Sequence, residues 1–229
     1  VKRVGTGRVE SRKWAERLSL NCPYLLDLLH HSPGVLIFRY PEIDLQQEID
    51  QRRRIGQLFT HQELMLLTYQ VLMGLHTLHS NLDSFDDLQP KYIECLPGTF
   101  YSINKLIDRM DTNDSVINVV RRQIKSGQPL YCSPRLYYCA KTGELNIGDT
   151  RRNDLFSLGM CVLEAGLLAS IQSVYMKDQE LIDKGRLLEL ISQFDQRYRA
   201  SNNLLCQILA LCLSVDEASR PTSSGLLQM

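Results

Sequence analysis

Phe85-Asp86-Asp87-Leu88-Gln89-Pro90-Lys91-Tyr92-Ile93 is the stretch on which the fold of this chain turns. It sits between a strong helix and a pair of short strands. Upstream, Thr60 followed by Glu63 makes a capping box that opens a long helix. Leu64, Leu67, Val71, Leu75 and Leu78 recur at steps of three and four, so one face of that helix is buried. The helix runs out through Gly74-Leu75-His76-Thr77-Leu78-His79-Ser80. Downstream, Tyr92–Leu96 and Thr99–Ile103 read as strands joined by a tight turn at Pro97-Gly98.

Further out, residues 104–150 look irregular, with one helix at Ser115–Lys125. Asp154-Leu155-Phe156-Ser157-Leu158-Gly159-Met160-Cys161-Val162-Leu163 is apolar almost all round, the pattern of a helix through the middle of a core. Further helices fit Asp178–Leu190 and Asn203–Leu213. Towards the N-terminus come a helix at Val9–Leu20, a hydrophobic strand at Val35–Phe38 and a short charged helix at Leu45–Arg54. The expected class is α+β, mixed at the N-terminus and all-helical beyond.

Composition narrows the function. The 229 residues are 44% hydrophobic and 23% charged, enough apolar material for a packed core and too much for a disordered chain. Lys plus Arg balance Asp plus Glu at 26 each, whereas a chain that grips nucleic acid or anionic lipid carries a basic excess. Nucleic acid and membrane are therefore not expected partners. Arg52-Arg53-Arg54, Arg121-Arg122 and Arg151-Arg152 read as solvated faces or protein contacts. The seven cysteines form no C-x-x-C pair and several lie in apolar runs, which suits buried thiols in a reducing compartment. With no leader-like or membrane-spanning run, an intracellular, cytoplasmic location is expected. The chain starts without Met and reads as a piece of something longer.

Five segments in register resemble a eukaryotic protein kinase. Phe85 to Ile93 lies over H-R-D-L-K-P-x-N-I, and Gly74 to Ser80 resembles the end of the helix before that catalytic loop. Tyr131-Cys132-Ser133-Pro134-Arg135 resembles Y-x-A-P-E, Asn153 to Gly159 resembles D-V-W-S-L-G, and Asp216 to Thr222 resembles D-P-x-x-R-P-T. Asn21 to Leu29 is similar to H-P-N-I-V-x-L, and the likeness covers about residues 20 to 229. It implies a bilobal fold. Residues 1–40 would be a small partial N-terminal β lobe with the third strand, helix C and the fourth and fifth strands. Residues 41–229 would be a large, mainly helical C-terminal lobe.

The resemblance also shows what differs. Phosphoryl transfer depends on positioning and electrostatics from a lysine–glutamate pair, magnesium ligands and a catalytic aspartate. Asp87 stands at the aspartate's place, but Gln89 replaces the lysine that steadies the phosphoryl group. Tyr92 replaces a magnesium-binding asparagine, and a neutral phenol is a poor ligand for that hard cation. D-F-G is absent. One register puts Asn104-Lys105-Leu106 there, and another runs from Lys105 through Asp108 to Met110. Lys2 is the candidate phosphate lysine, so Lys2, Asn104, Lys105 and Asp108 are the candidate nucleotide cleft. Lys13, flanked by Glu10 and Glu16, falls where the helix glutamate belongs.

Asp86 replaces the arginine that meets an activation-loop phosphate, and Arg135 replaces the acid that pairs with the Arg220 equivalent. The two guanidiniums would face each other unless Asp216 or Glu217 joins them. Asp154 would keep its structural place at the start of the buried helix, where a carboxylate favours the helix N-terminus; in kinases it also holds the catalytic-loop backbone. His76 and His79, with Asp83, Asp86 and Asp87 nearby, are set aside as a metal site because kinase-like chains carry such histidines at this helix end.

The resulting expectation is a pseudokinase: not an enzyme, but a scaffold and structural component that binds other proteins within a larger assembly. It would need no cofactor, with ATP left open and magnesium not fitting. The alternatives are an atypical or weakly active Ser/Thr protein kinase using Asp108 and Lys2, and a nucleotide-binding switch without phosphotransfer.

Overall fold

A computed structural model of the chain describes residues 2–5, 22–25, 28–32, 35–38, 43–81, 83–96, 100–104, 115–176 and 181–229. The helix expected at 9–20 with Lys13, the Pro97-Gly98 turn, and Lys105 and Asp108 lie outside them. The described residues are mixed α+β and rich in helix, with two small antiparallel sheets. In the first, β3 (Val35–Phe38) lies between β1 (Lys2–Gly5) and β2 (Leu28–Ser32). In the second, β5 (Ile93–Leu96) lies between β4 (Ile43–Asp44) and β6 (Phe100–Ile103). Ile93 pairs with Ile103 and Glu94 with Ser102 in the β5–β6 ladder.

Helix starts follow their capping chemistry. Asp44 makes a reciprocal box with Gln47 at the head of α1 (Leu45–Ile55), as Thr60 does with Glu63 at the head of α2 (His61–Ser80). Leu64, Leu67, Val71, Leu75 and Leu78 are all buried, as their periodicity requires. α3 (Val116–Ser126) lies where a helix is expected. The segment read as irregular contains a second helix, α4 (Pro134–Thr142). Its signals are local: Ser133 accepts from the Leu136 N–H, Pro134 takes the first turn, and Gly143, at φ +89°, supplies the left-handed stop.

α5 (Thr150–Leu167) is buried from Asn153 to Leu167 and forms the centre of the core. α2 packs on α5 and β6. α5 also packs on α6 (Lys184–Tyr198) and α7 (Asn203–Cys212), while the short α8 (Ser223–Leu227) packs on α2. The close approach of α6 to α5 depends on Gly166, where an added Cβ would stand 2.3 Å from the Phe194 ring. α6 begins six residues later than expected because Asp183 caps it, accepting from the Arg186 N–H. It runs on to Tyr198 because Leu187, Leu190, Phe194 and Tyr198 continue one buried stripe.

In the basic run at 52–54, Arg53 and Arg54 are exposed, as expected of a solvated face, and Arg52 is half-buried. Arg52 lies 3.9 Å over the Phe59 ring and pairs with Glu63 at 2.6 Å and Glu48 at 2.8 Å. Burial works against the Glu63 carboxylate, but the bonds from Arg52 and Thr60 outweigh it and hold its pKa below the usual range. Arg53 reaches Glu164 on α5, whose other carboxylate oxygen accepts from the Tyr131 hydroxyl at 2.7 Å. The seven cysteines are free thiols, and all but Cys22 are buried. No helix among the described residues is long and apolar enough to cross a membrane.

Candidate functional site

The loop after α2 is held from the core side by one carboxylate. Asp154 Oδ2 accepts from the Phe85 N–H and its Oδ1 from the Asp86 N–H, each at 2.7 Å. His79 Nε2 stands 3.1 Å from Oδ2, and with that proton donated its Nδ1 is left to accept from Ser223 Oγ, also at 3.1 Å. Burial raises the Asp154 pKa, while the His79 and backbone hydrogen bonds act against that rise. Asp154 does not cap its own helix, as its placement at the N-terminus suggested. Asp149 does that, accepting from the Arg151 N–H, so α5 starts earlier and Asp154 sits one turn inside it, facing the loop.

Held this way, Asp86 takes a left-handed backbone at φ +69°, uncommon outside glycine. Its carboxylate accepts from Ser84 Oγ. The next residue, Asp87, accepts from Gln89 Nε2 at 2.6 Å on Oδ1. Gln123 Nε2 of α3 stands 3.3 Å from the same oxygen and 3.4 Å from Oδ2. Cys132 and Cys161 are close enough for the Asp87 charge to add to the rise in thiol pKa that burial causes. Neither thiol is therefore a nucleophile in this state.

Tyr92 is buried, packed by Phe85 and with Lys91 Nζ 4.7 Å from its ring centre. Its carbonyl accepts from the Asn104 N–H at 2.7 Å, and Asn104 Nδ2 donates to the Glu94 carboxylate. The fold thus sets Asp86, Asp87 and Gln89 in one loop against Asp154 of α5 and joins Asn104 to Tyr92. Lys2 lies on β1, paired with Phe38 in the first sheet. Gln123, Glu94 and Ser223 belong to the site although the motifs did not point to them.

Arg135 and Arg220 do not face each other. Arg135 turns outward to the Glu144 carboxylate and the Asn146 carbonyl. Neither acid proposed to join them does so: Glu217 accepts from the Asp149 N–H, and Asp216 from Ser219 Oγ and the Ala218 N–H. Arg220, 1% exposed, donates Nη1 to the Arg152 carbonyl, while its buried Nε and Nη2 have no hydrogen-bond partner among the described residues.

His76 and His79 both approach Ser223 Oγ. Among the described residues no three His, Cys, Asp or Glu side chains gather as a metal-binding group.

No family model matches the chain. It is similar to cell division control protein 2 homolog 2 of Trypanosoma brucei brucei, 37% identical over 78 residues, which are 32% of this chain. It is also similar to the membrane-associated tyrosine- and threonine-specific cdc2-inhibitory kinase wee-1.3 of Caenorhabditis elegans, 27% identical over 172 residues, 72% of this chain. Each match spans 22% of the relative's own length. These matches overturn the expectation that the chain is not an enzyme, because they relate most of it to a protein that is a kinase by name. The chain is thus distantly similar in sequence to proteins named as kinases, and its described residues are mixed α+β.

Proposed function

We propose that the chain is a protein kinase-like domain that transfers the γ-phosphoryl group of ATP to a protein hydroxyl, with Asp87 as the proton acceptor. The observation that carries this reading is the fixing of the Asp87 loop by Asp154, since a general base must be held within hydrogen-bond reach of the hydroxyl it serves. In the step, the hydroxyl oxygen forms a bond to the γ-phosphorus and its proton passes to Asp87. The bond from the γ-phosphorus to the β–γ bridging oxygen breaks, and ADP leaves with the electron pair. Gln89 offers the phosphoryl oxygens a neutral amide and no formal charge, so transfer is slow. Residues 1–40 and 41–229 would form the two lobes, with Lys2, Asn104, Lys105 and Asp108 towards the nucleotide, within a cell.

The test is transfer of labelled γ-phosphate from magnesium ATP to casein by the chain and by Asp87→Asn. Loss of the base lowers the rate about a thousandfold. Equal transfer by both, or none by the unaltered chain, would end this reading. Melting with ATP, in magnesium and in excess EDTA, tests binding separately by mass action.

A second reading, protein binding as part of an assembly, is favoured by an open groove of about 330 Å³. Pro134, Tyr138, Ile182 and Val215 line it beside Leu181, which is 55% exposed. Leu181→Glu would place a charge on this apolar surface and release the chain from its assembly in sizing of native extracts; unchanged co-migration would remove the groove from consideration.

A further inference from the structure

Ser223 Oγ is approached by two imidazoles at once. His76 Nδ1 stands 3.4 Å from it and His79 Nδ1 3.1 Å. The two histidines are three residues apart on α2 and so share a face, and α8, which Ser223 begins, packs there. Ser223 is 3% exposed and His79 8%, so their polar atoms must find their bonds within the protein. A serine hydroxyl carries one proton. It cannot donate to both rings, so one ring nitrogen receives that proton and the other supplies its own.

Asp154 decides which. Its two oxygens already accept from the Phe85 and Asp86 N–H groups, and a carboxylate used in this way is an acceptor only. His79 Nε2, 3.1 Å from Oδ2, must therefore carry the proton of that contact. A neutral ring protonated at Nε2 has a bare Nδ1, which takes the Ser223 proton. His76 is then left to donate from its own Nδ1 to Ser223 Oγ. The two histidines hold opposite tautomers, and a single hydroxyl sets both. Donation runs from His76 through Ser223 and His79 to Asp154, and each bond in such a chain polarises the next.

We propose that Ser223 is a positioning residue for the Asp87 loop: by fixing the His79 proton on Nε2, it keeps both Asp154 oxygens as acceptors for the loop backbone. The proposal rests on the reading of Asp87 as the proton acceptor. Thr222, not Ser223, caps α8, accepting from the Gly225 N–H, so Ser223→Ala removes the hydroxyl without uncapping the helix. Ser223→Thr keeps the hydroxyl and serves as the rescue.

Nitrogen NMR of the histidine rings in the whole chain reads the tautomers directly. At neutral pH, His79 should carry its proton on Nε2 alone and His76 on Nδ1 alone. Ser223→Ala should abolish the single form of His79 and speed exchange of the Phe85 and Asp86 amides about tenfold. It should also lower kcat for transfer from magnesium ATP to casein about tenfold at unchanged KM, the effect of one lost hydrogen bond, and Ser223→Thr should restore all three. The same tautomer at both histidines, a bare His79 Nε2, or protons on both His79 nitrogens in the unaltered chain would overturn the assignment. Amide exchange and transfer unchanged in Ser223→Ala would overturn the positioning role. Absence of transfer from the unaltered chain would end the kinase reading alone, because the tautomers and the two amides would still decide whether Ser223 positions the loop.

Discussion

Asp154→Ala should destabilise the chain by about 3–5 kcal/mol, the range for breaking a buried charged network by removing one partner. The substitution leaves the Phe85 and Asp86 N–H groups and His79 Nε2 without their acceptor at once. The backbone of Asp86, at φ +69°, then loses the carboxylate that holds its N–H in the left-handed region, and Asp87 follows it out of position. Calorimetry should show a melting temperature lower by about 10 °C, at a few degrees per kcal/mol for a chain of this size. Asp154→Asn keeps one acceptor oxygen and should fall between the two. An alanine variant that melts within a degree of the unaltered chain would mean that the loop is held by something other than this carboxylate.

Arg220→Met should act in the opposite direction and stabilise. The guanidinium is buried, and burial lowers its pKa although the Glu217 charge partly opposes this. One nitrogen donates to the Arg152 carbonyl at 2.7 Å and the carbon lies 5.5 Å from the Phe156 ring centre, while Nε and Nη2 have no hydrogen-bond partner among the described residues. Methionine fills similar space without a buried charge or its unbonded N–H groups. Replacing buried ionic groups by apolar residues of like volume is often worth about 1–4 kcal/mol. The expected rise in melting temperature is thus about 2–10 °C. Arg220→Ala, which leaves a cavity, should lower it. If methionine proved as harmful as alanine, the single bond to Arg152 and the contact with Phe156 would outweigh the burial of charge.

Much of the fold could be read along the chain, because its signals are local. A capping box at Thr60 and Glu63, a stripe of leucines every three or four residues, and an apolar run from Asp154 are complete within a few turns. Where such signals were overlooked, the helix was too: Ser133, Pro134 and Gly143 bound α4, and Asp183 marks the true start of α6. Gln123 was also within reach, as a polar residue on an otherwise apolar stripe. The candidate positions Asp86, Asp87, Gln89 and Tyr92 were singled out because their order resembles a kinase catalytic loop. The conclusion drawn from the altered ones, that the chain is no enzyme, went beyond what single residues can support.

Helix identity, the central position of α5 and the candidate residues Asp86, Asp87, Gln89 and Asp154 follow from periodicity, caps and motif order, which depend on near neighbours. The partners of those residues do not. Asp154 meets a loop 69 residues before it, Gln123 meets Asp87 across 36 residues, and Ser223 meets His79 across 144. Arg135 and Arg220 could be paired, bridged or separated with the same sequence pattern, and only side-chain packing turns one outward and leaves the other buried. Donor and acceptor types along a chain say which bonds could form; which ones do form is decided by how α2, α3 and α5 pack, because a hydrogen bond demands approach to about 3 Å that no local propensity encodes.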